Sequence, residues 1–143
     1  ITPLATRGDI ASLGAMGYEL DTTKLAEEDI GAVRAQVAEY LACEDLILDG
    51  DLYRIADPYT SEYFGFHVVA KDKSRSVLTL YRRLNPANGE IVRFKATGLD
   101  ESKRYYVREL GLILSGATLT HVGLVPKFPA ADFASYKFHF EEK

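Results

Sequence analysis

The side chains that most often do chemistry are few in this chain and poorly placed for it. Three histidines, His67, His121 and His139, fall on separate predicted strands or turns without the paired spacing of metal ligands. This pattern predicts surface or sheet-packing histidines and no metal site. Cys43 is the only cysteine, so no intramolecular disulfide can form. On an apolar helical stripe it is expected to pack as an inert thiol.

The acidic residues and the small-residue motifs also predict no catalytic site. Two carboxylate pairs have members two positions apart, Glu19 with Asp21 and Asp49 with Asp51. Neither pair sits in a catalytic context, so we interpret them as turn and cap residues. Ser115-Gly116 lacks the Gly-x-Ser-x-Gly pattern of a nucleophile elbow, and Gly14 to Gly17 lacks the lysine of a phosphate loop.

Two groups of residues could bind a ligand. Tyr59 lies in a Pro-Tyr-Thr-Ser loop and Tyr63 and Phe64 follow it, and exposed aromatic rings there could stack on sugar rings. Aromatic residues at strand starts more often belong to a core or a domain contact, which we favour. Four basic residues could face phosphates: Arg82, Arg83, Arg93 and Lys95. Without interleaved exposed aromatics we favour a solvated sheet face and predict no nucleic-acid partner.

The 143 residues are enough for one domain, or for one domain and part of another. Residues 1–50 carry three basic and ten acidic side chains, whereas residues 51–143 carry fourteen and eleven. The chain starts at Ile1 and its only methionine is Met16, so we expect a piece of something longer. No apolar run approaches the roughly 18 residues of a membrane span, and no signal peptide is evident. A cytoplasmic protein with no membrane partner is expected.

The elements that must position these residues change character at Asp49-Gly50-Asp51. Thr2-Pro3 predicts the cap of a first helix over Pro3–Leu13. The glycines between Leu13 and Leu20 indicate a buried strand or a tight loop. Apolar residues at helical spacing over Ala26–Leu48, after three acids in the first turn, predict a long helix that ends at Asp49-Gly50.

After residue 50 the apolar period becomes two, which is typical of strands. The predicted strands are Asp51–Ala56, Tyr63–Ala70, Val77–Tyr81, Ile91–Thr97, Arg104–Glu109, Leu112–Leu114 and Phe133–Glu141. With no intervening helix, the fold class is mainly β, an antiparallel β-sandwich preceded by a helical segment. Its predicted core is drawn from Phe64, Phe66, Val68, Tyr81, Phe94, Tyr136, Phe138 and Phe140.

Four strings of residues carry a resemblance to a known family: Thr2–Ala11, Gly14–Asp21, Gly50–Ile55 and Ser115–Leu124. In this order they resemble the C-terminal end of a bacterial family 36 glycoside hydrolase, an α-galactosidase. The resemblance implies that residues 1–49 are the last helix-strand-helix of a (β/α)8 catalytic barrel. It implies that residues 50–143 are the C-terminal β-sandwich domain.

The resemblance also implies what the chain does not hold. Members of the family are retaining glycosidases with two catalytic aspartates on earlier barrel strands, so no catalytic, cofactor-binding or metal residue can be assigned here. The implied partners are the barrel of the same full-length chain and, through that barrel, a galactoside. The apolar stripe of the helix around Val33 and Val37 must be covered, either by folding back onto the sandwich or by a second copy of the chain. We favour the second copy and therefore expect a homo-oligomer.

The function expected of the full-length protein is hydrolysis of terminal α-linked galactose from oligosaccharides such as melibiose and raffinose. This part would brace the barrel, would use no cofactor and is expected to be inactive alone. The alternative is a non-catalytic β-sandwich module that binds carbohydrate or a protein partner.

Overall fold

A computed structural model describes residues 2–143, apart from the side chain of Thr22. The helices are α1 (Leu4–Ala11), α2 (Glu27–Asp49) and α3 (Gly116–His121), and a 3₁₀ turn spans Thr22–Lys24. The strands are β1 (Asp51–Ile55), β2 (Tyr63–Val69), β3 (Arg75–Arg82), β4 (Arg104–Val107), β5 (Leu112–Ser115) and β6 (Ala134–Glu142). None of the helices within this part of the chain is both long and apolar enough to cross a membrane.

The six strands form one antiparallel sheet in the order β1-β2-β3-β6-β4-β5. The last strand, β6, is inserted between β3 and β4, and it pairs with β3 from Arg75 opposite Glu141 to Arg82 opposite Ala134. Because side chains alternate across a strand, this register divides the central strands into two distinct faces.

One side of the sheet, here called the core face, holds the main hydrophobic cluster. It is built around Leu78, Leu80, Phe138 and Phe140, each at most 1% exposed. The segments around Phe94 and Leu119 pack over them as the second layer of the sandwich. Phe94 and Leu124 join these segments through two backbone hydrogen bonds of 2.9 Å. All buried members of this cluster lie between residues 55 and 140.

The opposite side, here called the helix face, is covered by α1 and α2. Leu46 of α2 packs on Val68 and Val77 of the sheet. The α1 helix is tied to the sheet by the buried Thr6, whose hydroxyl donates to the Phe133 carbonyl oxygen at 2.7 Å. Leu41 lies on the side of α2 that is turned away from the sheet and is 62% exposed.

Most predicted elements are confirmed. The mainly antiparallel β fold after a helical segment agrees with the prediction, and α2 begins and ends within one residue of its predicted bounds. The predicted cap at Thr2 is wrong, because α1 begins at Leu4 after Pro3 and makes no side-chain cap hydrogen bond. Residues 13–21 form turns and irregular chain that pair with no strand in the described part of the chain.

Three further predictions need correction. Ile91–Thr97 is not a strand, because only Phe94 makes a bridge there and Ile91 is 83% exposed. The α3 helix was not predicted, although Ser115 accepts a hydrogen bond from the Thr118 amide as an ordinary helix cap. The predicted core mixes two faces: Phe64 and Phe66 lie half-buried on the helix face, outside the main cluster.

Candidate functional site

The largest concentration of charge inside the protein lies between the helices and the sheet. Lys137 of β6 is only 15% exposed as a side chain, and its Nζ lies 2.7 Å from Asp9 Oδ1 of α1 and 3.0 Å from Glu39 Oε1 of α2. A lysine buried to this degree requires compensating carboxylates, and here the two come from two different helices. Lys137 therefore joins α1, α2 and the sheet at one point.

His139 lies two residues further along β6, on the same face. Its Nδ1 is 2.6 Å from Glu109 Oε1, and its backbone amide donates to the other Glu109 oxygen at 2.8 Å. Its Nε2 is 3.4 Å from Glu39 Oε1. His139 thus lies between two carboxylates, one from α2 and one from the loop after β4.

The pKa values follow from these neighbours. Burial alone lowers the pKa of His139, but the Cys43, Glu109 and Glu39 side chains outweigh it and raise the pKa to about 10. In turn His139, with Lys137, lowers the pKa of Glu39 to about 2. Burial works against charge on Glu109, yet its hydrogen bonds to His139 leave its pKa lowered. The group is therefore ionised near neutral pH, with each charge compensated.

This arrangement can hold elements together but does not present a catalytic pair. A retaining glycosidase needs one free carboxylate to attack and a second to protonate the leaving oxygen. Glu39 and Glu109 are instead both engaged by His139. We therefore describe Asp9, Glu39, Glu109, Lys137 and His139 as an ionic clamp between the helices and the sheet.

The other two histidines lie away from the ionic clamp. His67 is fully buried on the core face, where its Nδ1 donates to the Thr97 carbonyl oxygen at 2.7 Å and its Nε2 accepts from the Ser76 hydroxyl at 2.9 Å. Burial lowers its pKa to about 4, so it is neutral. His121 forms a surface contact with Glu101 at 2.9 Å. Residues 2–143 contain no cluster of histidine, cysteine and acidic side chains that could hold a metal ion.

The remaining predicted candidates have local roles. Asp21 caps the 3₁₀ turn by accepting from the Thr23 amide, and Asp51 pairs with Lys71. Cys43 is half-buried and packs against the cluster around Leu46. Asp21 has the cap role and Cys43 the packing role that the sequence predicts, whereas Asp51 begins β1 and forms an ion pair where a turn or cap contact is predicted.

Tyr63 and Tyr59 have different surroundings, and so do Arg82 and Arg83. Tyr63 packs edge-on against Phe94 with ring centroids 5.5 Å apart, whereas Tyr59 is 95% exposed. Arg82 donates to the Pro129 carbonyl oxygen at 2.6 Å, while Arg83 pairs with Glu62 at 3.0 Å. The two arginines therefore satisfy separate local partners.

Sequence reasoning missed the ionic clamp. The signal was present in β6, where Ser135, Lys137 and His139 alternate with Tyr136 and Phe138. Such alternation on a half-polar strand is typical of a sheet that faces water on one side. What the pattern could not indicate is that two helices cover this face and supply carboxylates to it.

Comparison with known proteins identifies the family. Residues 64–140, more than half of the chain, match the model of the glycosyl hydrolase family 36 C-terminal domain. The chain belongs to glycosyl hydrolase family 36. Residues 1–50 also match the melibiase model. The predicted resemblance is therefore confirmed, and it covers the helices as well as the sheet.

Relatives within family 36 agree over the whole chain. The chain is 33% identical over 141 residues to α-galactosidase Mel36A of Lactobacillus acidophilus, covering 99% of this chain and 19% of that protein. The galactosidase domain of the α-galactosidase–sucrose kinase AgaSK has a TM-score of 0.96 and 30% identity, and the match covers 100% of this chain and 20% of that chain. A Geobacillus stearothermophilus AgaA variant in complex with raffinose has a TM-score of 0.95, 30% identity and the same coverage.

The chain thus spans about a fifth of the length of the family 36 relatives that it matches. Its mainly antiparallel β fold is that of the corresponding region of solved α-galactosidases. Within this family match, the ionic clamp joins the region matched by the melibiase model to the region matched by the C-terminal domain model.

Proposed function

We propose that this chain is the C-terminal part of an α-galactosidase that removes terminal α-linked galactose from oligosaccharides such as melibiose and raffinose. The observation that carries the proposal is the pair of family matches, melibiase over residues 1–50 and the family 36 C-terminal domain over residues 64–140. The melibiase match ends at residue 50, where α2 gives way to β1, and the C-terminal domain match begins at residue 64, in β2.

In this proposal the chain supplies structure and the preceding barrel supplies the reaction. Hydrolysis with retention needs two carboxylates about 5 Å apart, and it proceeds by carboxylate chemistry without a cofactor. The barrel of the same polypeptide binds the galactoside. The ionic clamp then holds the last barrel helix, α2, on the sheet, so that the sheet braces the barrel.

The test compares hydrolysis of a nitrophenyl α-galactoside by two proteins. We expect turnover by the protein in which this chain is joined to its preceding barrel, and none by the 143 residues alone. Turnover by the 143 residues that is abolished by changing one of their own acids, for example Glu39→Gln, would contradict the proposal. Glu44→Gln, on the same helix but outside the ionic clamp, is the matched control.

Under this proposal the chain has two structural parts. We infer a barrel part over residues 1–49 and a sandwich part over residues 50–143, because the core-face cluster takes no buried residue from the first part. We also propose a cytoplasmic location, in keeping with the single cysteine, Cys43.

A homo-oligomer remains part of the proposal for this chain. Val37 and Leu41 expose apolar surface on the outer side of α2, and two copies could cover it by symmetric pairing. Changing both Val33 and Val37 to lysine should then turn a dimer into a monomer in sedimentation. A dimer that survives this double change is not joined through α2.

A further inference from the structure

An open groove on the helix face lies beside the hairpin of β1 and β2, away from the ionic clamp. Its volume is about 540 Å3, within the range of small-ligand sites. The wall is formed by Tyr59 and the floor by Phe64 and Phe66, and Arg54 and Asp57 flank them.

The Tyr59 side chain is held out into solvent by its loop. It is 95% exposed, yet its backbone amide donates to Asp57 Oδ1 at 2.9 Å, and the Ser61 amide donates to the Asp57 carbonyl oxygen at 3.0 Å. Ala56, at the start of this loop, has a φ of 59°, a conformation that costs a non-glycine residue energy. The loop therefore presents an aromatic ring from an ordered turn.

The floor of the groove is also fixed. Phe64 stacks on Tyr81 with ring centroids 4.8 Å apart and an interplanar angle of 19°, and the Tyr81 hydroxyl donates to the Asp9 carbonyl oxygen at 2.9 Å. Arg54 lies directly opposite Phe66 in the pairing of β1 with β2, which places a guanidinium beside the aromatic floor. The Phe64 ring thus has a defined position in the groove, and Arg54 lies on the same face of the sheet.

The charged side chains at the rim are only partly engaged, since one Asp57 carboxylate oxygen accepts from the Tyr59 amide. Within residues 2–143 neither Arg54 nor Asp57 forms an ion pair. An apolar protein segment laid over the groove would bury these charges without partners, which is costly. A pyranose ring instead offers apolar C–H faces to the aromatic rings and hydroxyls that can both donate to Asp57 and accept from Arg54.

We propose that this groove is a carbohydrate-binding site for a neutral hexopyranose, with Tyr59 as its stacking platform. The choice of an α-galactoside as its natural ligand rests on the proposed function, whereas pyranose binding itself does not. The site would hold a second sugar unit of an oligosaccharide, or a second molecule, at the sandwich domain.

The experiment is an NMR titration of the 143-residue chain with methyl α-galactopyranoside and, in parallel, methyl α-glucopyranoside. We expect saturable shifts at the amides of Tyr59, Phe64 and Phe66, and affinity reduced at least about tenfold by Tyr59→Ala. Tyr59→Phe keeps the ring and should bind within about twofold of the original chain. Ile91→Ala, which removes an equally exposed apolar side chain elsewhere, is the matched control.

Several outcomes would overturn the proposal. These are no saturable shift with either sugar up to about 100 mM, or binding that Tyr59→Ala leaves unchanged. In the full-length protein, protection of Tyr59 from iodination without sugar would show that a protein segment fills the groove. Failure of the proposed function is recognised separately, because it appears as absent galactoside hydrolysis by the full-length protein whatever the chain binds.

Discussion

The two faces of the sheet each bury one histidine, His67 on the core face and His139 on the helix face. His67 meets a backbone carbonyl and a serine hydroxyl, so burial lowers its pKa to about 4. His139 meets Glu109 and Glu39, and its pKa rises to about 10 despite similar burial. The same residue type is neutral on one face and charged on the other because only the helix face brings carboxylates to it.

The two faces of the sheet also differ in the residues that build them. The core face is a continuous apolar cluster made only from residues after position 50. The helix face mixes a small apolar cluster around Leu46 with the ionic clamp. The core face therefore stabilises the sandwich itself, while the helix face fixes how the helices sit on it.

The strongest test of this comparison is to remove the helices. A protein of residues 51–143 should still unfold cooperatively, because its main core is intact. We expect the free energy of unfolding to fall by about 5 kcal/mol, since Tyr40, Leu46 and the valines beneath them lose their burial. Urea unfolding followed by circular dichroism measures both properties. A non-cooperative transition would mean that the two faces form one unit.

Replacing one phenylalanine by alanine on each face should lower the stability of the protein by unequal amounts. Phe138→Ala removes a fully buried ring from the core face and should cost about 4 kcal/mol. Phe66→Ala removes the same ring from the half-exposed helix face and should cost about 1 kcal/mol. Urea midpoints of the two variants give the comparison directly. Equal losses would show that the aromatic residues of both faces share one core.

The ionic clamp should be sensitive to the loss of one partner. Lys137→Met leaves Asp9 and Glu39 without their buried cation and should cost about 3 kcal/mol. Adding Asp9→Asn and Glu39→Gln should restore more than half of that loss. Lys143→Met, at a half-exposed pair with Glu141, should change stability by less than about 0.5 kcal/mol. Similar losses of stability in Lys137→Met and Lys143→Met would contradict the role of Lys137 in the ionic clamp.

The two buried histidines should make the stability of the protein depend on pH in opposite directions. The pKa of His139 is raised, so its contribution is complete below pH 6.5 and is lost as the pH rises toward about 10. The pKa of His67 is lowered, so stability is lost as the pH falls from 6.5 toward about 4. We expect a change of a few kcal/mol in each range, larger on the alkaline side because the pKa of His139 is shifted further.

Unfolding midpoints between pH 4 and pH 10 test this expectation. His139→Gln should flatten the alkaline loss and leave the acid side unchanged. The stabilising contribution of Glu39 is also lost in acid, as the pH falls from 4.5 toward about 2. The effect of His67 is therefore measured above pH 4.5. An alkaline loss that persists in His139→Gln would show that another group causes it.

Local patterns in the sequence were enough for most of the elements and for the family resemblance. The 3.6-residue period of α2 and the two-residue period of β2, β3 and β6 follow from which side of each element must be buried, so they are visible without the fold. The resemblance was carried by ordered strings such as Gly14–Asp21 and Gly50–Ile55. Each of these features depends on residues close to one another along the chain.

Only the tertiary structure decided which strands are neighbours and which face each side chain meets. The strand prediction at Ile91–Thr97 failed because alternation alone does not supply a partner strand, and only Phe94 finds one. The ionic clamp joins Asp9, Glu39, Glu109 and Lys137, which lie as far as 128 positions apart in the chain. Charges at such separations interact only after the chain has brought them together and excluded water. Their pKa values, and the role of His139 with them, are therefore properties of the fold.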